Sequence, residues 1–219
     1  MLPRTLEPEL MDTEEDAAEY ATIANDTVNE MFAQRSVELA PPGGRLLDIG
    51  TGPGHIAIRI AELSDLDVTA IDLAETMLAI ARLRAAASPA RHRIHLARGD
   101  AKATGFPERT FDAVVSNSLA HHLPDPAALF TEAARVGKEG AAILIKDLLR
   151  PSASGELEDL VRRYASHDTP YQRALFQSSL HAALTLDEVR ACCWRAGLTG
   201  VEIAQVSDRH WVVERVTRR

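Results

Sequence analysis

The chain has 219 residues, a formal net charge of -8, 46% apolar residues and 26% charged residues. That composition fits one globular domain and excludes a disordered or fibrous chain. The longest uninterrupted apolar run, 140–145, is too short to cross a bilayer, and the opening Met1-Leu2-Pro3-Arg4 lacks the apolar core of a secretory leader. A cytoplasmic protein with no membrane partner is the expectation.

Residues 1–40 hold ten acids and two bases, which is the whole net charge; the rest of the chain holds 22 of each. An acidic N-terminal segment repels phosphate backbones, which argues against a nucleic-acid partner. The same acids also suit a solvated helical face. Asp12-Thr13-Glu14-Glu15 has the form of a helix start, and Tyr20, Ile23, Ala24, Val28, Met31 and Phe32 recur at helical spacing. One or two helices are therefore predicted within 1–42, ended by Pro41-Pro42-Gly43-Gly44.

Beyond Gly44, strand-length apolar runs at 45–49, 67–72, 93–97, 111–115 and 141–145 mostly alternate with helix-length stretches at 55–63, 74–87 and 125–136. This alternation predicts a doubly wound parallel sheet with helices on both faces, and such sheets bind ligands at the carboxyl ends of their strands. The pattern then changes. Residues 151–184 carry no strand signal and predict two helices, 153–166 and 170–183, with His167, Tyr171, Gln172, Phe176 and His181 on them. Thr185-Leu186-Asp187-Glu188 opens another helix with a capping-box pattern, and Gly197 stops it. Cys192 and Cys193 are adjacent, too strained to pair and too few for a zinc site, so they read as small apolar helix residues. Runs at 200–206 and 210–216 close the sheet. The whole reads as one domain, with a helical segment (1–42), a core (43–150), a substrate-shaping insert (151–184) and a last helix with the closing strands (185–219).

The chemistry concentrates at strand ends. The first strand runs into Asp48-Ile49-Gly50-Thr51-Gly52-Pro53-Gly54, where glycines let the backbone turn sharply and approach a ligand. A dinucleotide turn wants its third glycine five positions after the first; here it comes at four, with Pro53 between. Asp48 opposes a pyrophosphate but suits a cationic amino group. Asp72 ends the second strand, where its two oxygens can accept two ribose hydroxyls. Asp100 ends the third, where a carboxylate can accept an adenine amine. Each acid alone also fits a helix cap or a solvated surface.

Together these residues resemble the class I S-adenosylmethionine-dependent methyltransferase family over 43–149, most nearly its small-molecule, ubiquinone/menaquinone C-methyltransferase-like branch. That likeness rests further on the paired histidines of Ser118-Leu119-Ala120-His121-His122-Leu123-Pro124. The resemblance implies a Rossmann-like α/β fold with a mostly parallel seven-stranded sheet, the last strand antiparallel. It implies S-adenosylmethionine as cofactor and S-adenosylhomocysteine as product. The Asp48, Gly50, Thr51, Gly52 and Gly54 turn would wrap the methionine part, Asp72 hold the ribose and Leu73 pack on the adenine. Asp100 and the Ala101 amide would take the adenine amine, Asn117 would lie beside the methionine part, and Tyr20 would close over the cofactor.

Methyl transfer of this kind is an in-line displacement on a small molecule, which needs alignment and water exclusion. His121 is the candidate general base, since its pKa lies near neutral; a helix cap or packing under the site is its structural alternative. No metal is expected, because no ligand cluster is visible in the sequence. Arg209 offers an anchor for an anionic group, and Trp211 reads as core. Two other readings compete: a non-catalytic module binding S-adenosylmethionine or S-adenosylhomocysteine, and a NAD-dependent oxidoreductase.

Overall fold

The computed structural model describes residues 2–9, 12–13 and 26–216. Tyr20 and the predicted helical residues 14–25 lie outside the described residues. The first described helix, α1 (Asp26–Leu39), is followed by β1 (Arg45–Ile49), α2 (His55–Leu63), β2 (Asp67–Asp72), α3 (Glu75–Ala87) and β3 (Ile94–Arg98). Then come β4 (Phe111–Asn117), α4 (Ala127–Val136), β5 (Gly137–Leu148), α5 (Ser154–Tyr164), α6 (Pro170–Ala182), α7 (Leu186–Arg195), β6 (Glu202–Gln205) and β7 (His210–Arg215). Among these described helices none is long and apolar enough to cross a membrane.

The seven strands form one sheet in the order β3-β2-β1-β4-β5-β7-β6. β1 to β5 pair in parallel, and β7 runs antiparallel to both β5 and β6. This is the architecture the sequence predicts. The chain winds outward from β1 to β3 and returns to β4 on the other side, so β1 and β4 flank the point where the winding reverses. Ligands of open α/β sheets bind outside that point. Ser116 Oγ of β4 donates to the Ile49 carbonyl at 2.8 Å, which ties the two strands together there.

Both faces of the sheet are covered, which is why its strands read as nearly continuous apolar runs. On one face, Leu46, Val68, Ala113, Val115 and Leu144 pack against Phe32 and Ala33 of α1, Ile56 and Ile60 of α2 and Ala85 of α3. On the other, Leu47, Ile49, Val114, Ile143 and Val213 pack against α4 and α7, including Cys192 and Cys193. Both thiols are free and buried, and burial raises their pKa, that of Cys193 to about 12. Met31, part of the predicted helical stripe, is instead 65% exposed, because α1 turns Phe32, Ala33 and Ser36 inward.

β5 is longer than its predicted core. It starts at once where α4 ends, and a register irregularity between Phe111 and Ala113 of β4 absorbs the extra residues. The two insert helices lie close to their predicted bounds, and α5 and α6 bury Leu157, Leu160 and Leu180 with Leu148 at the tip of β5. Thr169 and Thr185 both form capping boxes, the second as the sequence predicts.

Trp211 is fully buried, with its ring stacked 6.2 Å from that of Phe130 on α4. This pair couples α4 to the antiparallel end of the sheet. Phe130→Ala is expected to cost about 3–5 kcal/mol in urea-induced unfolding. A loss below about 1 kcal/mol, within the range of volume-conserving swaps, would contradict that role.

Candidate active site

The turn after β1 is fixed by the backbone of β2. Gly50 and Thr51 both donate N–H groups to the Ile71 carbonyl at 2.9 Å. Gly50 has φ 76°, and a Cβ there would meet Leu119 Cδ2 at 2.7 Å. Gly54, at φ 81°, caps α2 against Ala81. Neither position accommodates a side chain without strain.

Two acids stand at this bend. Asp48 is 2% exposed; the Thr51 hydroxyl lies near its carboxylate, but neither Asp48 Oδ2 nor that hydroxyl makes a hydrogen bond of normal geometry among the described residues. Burial pushes the Asp48 pKa up to about 7; the Thr51 hydroxyl opposes the shift, and the charge of Asp72 adds to it. Asp72 accepts from Gly52 N at 2.7 Å and from Ala74 N at 2.9 Å. Its pKa is also raised, by burial that outweighs those backbone donors. Leu73 follows it, half-buried. Asp100 lies one strand further out, where its Oδ1 accepts from Lys102 N at 2.9 Å and pairs with Lys102 Nζ at 3.0 Å. Ala101 is buried beside it.

Past β4, Asn117 and Ser118 line a cavity of about 170 Å³, shared with Val28, His121, Phe176 and Arg209. The three acids do not line it. Of the polar and aromatic insert residues, Gln172 and Phe176 reach the cavity, while His167 and Tyr171 are exposed. His121 is 3% exposed and sits on a short 3-10 turn (Ala120–His122). Its Nδ1 lies 2.5 Å from Asp147 Oδ1, and its backbone N–H donates to Asp147 Oδ2 at 3.1 Å. Its Nε2 lies 3.2 Å from Glu7 Oε1. Burial opposes a charge on this ring, yet Asp147 and Glu7 outweigh it and raise its pKa. The pKa of Asp147 is held low despite burial, by the charge and hydrogen bond of His121. His122 is driven down to about 3, first by burial and then by His121.

A model of the family described as methyltransferase domain matches residues 47–145. The chain is 32% identical over 178 residues to the ubiquinone biosynthesis O-methyltransferase of Xanthomonas axonopodis pv. citri, covering 80% of this chain and 71% of that protein. The chain belongs to the class I S-adenosylmethionine-dependent methyltransferase family. It is also 32% identical over 173 residues to the 27-O-demethylrifamycin SV methyltransferase of Amycolatopsis mediterranei, covering 77% of this chain and 60% of that protein. It thus spans three fifths of the latter's length. The fold is shared with a structure described as that of a putative S-adenosyl-L-methionine-dependent methyltransferase from Methanococcus maripaludis (TM-score 0.73, 19% identity, 98% of both chains).

Within this methyltransferase fold, sequence reasoning missed three residues that organise His121. Asp147 had a signal, since it is an acid near the tip of the fifth strand, where the strand-end rule applies. Glu7 and Arg4 had none. Arg4 crosses to the site and donates to the carbonyls of His121, Leu123 and Ala182 at 3.1, 2.9 and 2.7 Å. Further along the same segment, Glu9 pairs with Lys102, and Asp12 accepts from Thr76 N and Oγ1. The fold also assembles a ligand set that the sequence did not reveal: Glu7, His121 and His122 offer a carboxylate oxygen and two ring nitrogens, all within 4.8 Å of one another. Their composition suits a divalent cation, and Asp147 would orient His121 from behind.

Asp48 links this site to stability. Its folded pKa lies above its unfolded value near 3.8, so the native state holds the proton more tightly. Its contribution is most favourable below pH 4 and declines as pH rises toward 7. Asp48→Asn is therefore expected to gain stability over the unmodified, ligand-free protein between pH 4.5 and 8 in urea titrations. A difference that does not change with pH would contradict the raised pKa.

Proposed function

We propose that the protein transfers a methyl group from S-adenosylmethionine to a small-molecule acceptor. The observation that carries this reading is the unpartnered, buried oxygen of Asp48 at the glycine bend. A buried carboxylate without a partner favours a cationic ligand group, and the amino end of the cofactor is one.

On this reading, Asp48 and the backbone of Gly50, Thr51, Gly52 and Gly54 hold the amino-acid end. Asp72 takes the ribose hydroxyls, since each of its oxygens keeps a second lone pair beyond its backbone donor. Leu73 packs on the adenine, Asp100 and Ala101 receive its amine, and Asn117 lies beside the methionine portion. When bound, the cofactor supplies an activated methyl group on a positively charged sulfur.

His121 is the general base of this proposal. Asp147 engages its Nδ1, which leaves Nε2 as the atom that takes a proton. Glu7 now faces that nitrogen, so an acceptor hydroxyl reaches it by replacing the Glu7 contact. A hydroxyl acceptor is favoured by the two relatives, a ubiquinone biosynthesis O-methyltransferase and a 27-O-demethylrifamycin SV methyltransferase. The paired histidines support placement near the ubiquinone/menaquinone C-methyltransferase-like branch. Free, buried Cys192 and Cys193 fit a reducing compartment, so we place the protein in the cytoplasm. A second reading is favoured by one observation: the Glu7, His121 and His122 set could hold a divalent metal that activates the acceptor instead.

Calorimetry tests the cofactor assignment. S-adenosylhomocysteine is expected to bind and NAD not, with Asp72→Ala weakening the former at least tenfold. Binding of NAD alone would overturn the proposal. His121→Ala is expected to slow turnover by about 10²–10⁴ while leaving cofactor affinity in place. Dialysis against EDTA is expected to leave turnover unchanged; a loss restored by a divalent metal would move the chemistry to the second reading.

A further inference from the structure

One corner of the cavity is lined by a guanidinium and an imidazole, with a lysine within electrostatic reach of both. Arg209 and His210, at the start of β7, line the cavity. The Arg209 side chain is only 17% exposed, and its guanidinium lies 3.3 Å over the Tyr164 ring. Its ion-pair contact is Asp208 at 3.9 Å. That carboxylate is committed elsewhere: it accepts from Tyr164 Oη at 2.8 Å and from Arg163 at 2.6 Å. Arg209 therefore presents its donors without a close acceptor among the described residues.

Lys146 reinforces this. It sits on β5, one residue before Asp147, paired in register with Asn117 and Val212. Its amino group has no hydrogen-bond or ion-pair partner among the described residues. Burial and the charge of Arg209 both lower its pKa. His210 adds a neutral donor. Ser207 Oγ accepts from Arg209 N at 3.2 Å, so its hydroxyl proton is free to go to His210 Nδ1 at 2.9 Å. The opposite ring nitrogen then carries the N–H. One acid, Asp168, also lines the cavity. The remaining wall is partly apolar, with Val28, Leu148 and Phe176.

We propose that Lys146, Arg209 and His210 form an anion subsite, so that the methyl acceptor is a partly apolar small molecule carrying a carboxylate or phosphate head group. A guanidinium engages either group through paired N–H donors, and the apolar wall takes the rest of the molecule. This inference rests on the methyltransferase reading, because it assigns the cavity to the acceptor.

The test uses the whole 219-residue chain saturated with S-adenosylhomocysteine and three probes: 3-phenylpropionate, phenyl phosphate and the neutral methyl 3-phenylpropionate. Ligand-observed NMR titrations are expected to show at least one anion binding tenfold or more tighter than the ester. Whichever anion binds more tightly names the head group. Arg209→Gln is expected to abolish the difference with unchanged S-adenosylhomocysteine affinity, which also shows that the variant is folded. Asp168→Asn, which removes the one acid from the wall, is expected to widen it. Equal binding of ester and anions, no binding of any probe, or a preference that survives in Arg209→Gln would overturn the subsite. Failure of S-adenosylhomocysteine itself to bind would overturn the methyltransferase reading instead.

Discussion

A carboxylate is costly to bury alone, and the site is organised around one that is. Asp48 lies near the end of the central strand, with one oxygen lacking any partner among the described residues. Two residues later the chain bends at Gly50, pinned to the Ile71 carbonyl. The bend brings Gly52 N onto Asp72, so the second acid is fixed by the same turn that follows the first. Both carboxylates resist ionisation because of burial. A cationic or hydrogen-bond-donating ligand relieves that cost in a way that water outside the sheet does not.

The second half of the site depends on β4 and β5 rather than on the glycine bend. Ser118 holds a left-handed backbone at φ 57°, and its N–H donates to the Lys146 carbonyl at 2.9 Å. That contact sets the turn carrying His121 directly over Asp147. The two halves of the site thus divide the labour the fold allows. On the proposed reading, the carboxylates near the ends of β1 and β2 would serve the cofactor, and the β4–β5 edge with the insert helices would shape the acceptor. Residues 2–9 and 12–13 touch both halves, through Glu7 at His121, Glu9 at Lys102 and Asp12 at Thr76.

Much of this was legible in the sequence because the signals are local. Strand and helix periods place β1 to β5, and the capping box at Thr185 places α7. The spacing of Gly50, Gly52 and Gly54 after Asp48 locates the bend without a structure. Asp72 is found by its place at a strand end, although its two backbone donors are not. What escaped depends on long-range contact. Glu7 meets His121 through a segment held by long-range contacts, Arg4 to the carbonyls around His121, Thr5 N to the His181 carbonyl and Ser179 to Glu7 itself, and no spacing rule connects these residues. The Glu7–His121–His122 group escaped for the same reason. Asp147 could have been found, since it is an acid two residues past the fifth apolar run, near a strand end as Asp72 is. Asp100 is found by its place after the third strand, although its contact with Lys102, two residues on, is not.

The central claim is that the Asp48 bend receives the cationic end of an adenosyl ligand. A crystal structure of the complex with S-adenosylhomocysteine tests it most directly. The account predicts the ligand's amino group within hydrogen-bond reach of Asp48, directly or through one water, with the ribose at Asp72. An adenosyl ligand bound elsewhere, leaving Asp48 Oδ2 without a partner, would contradict it.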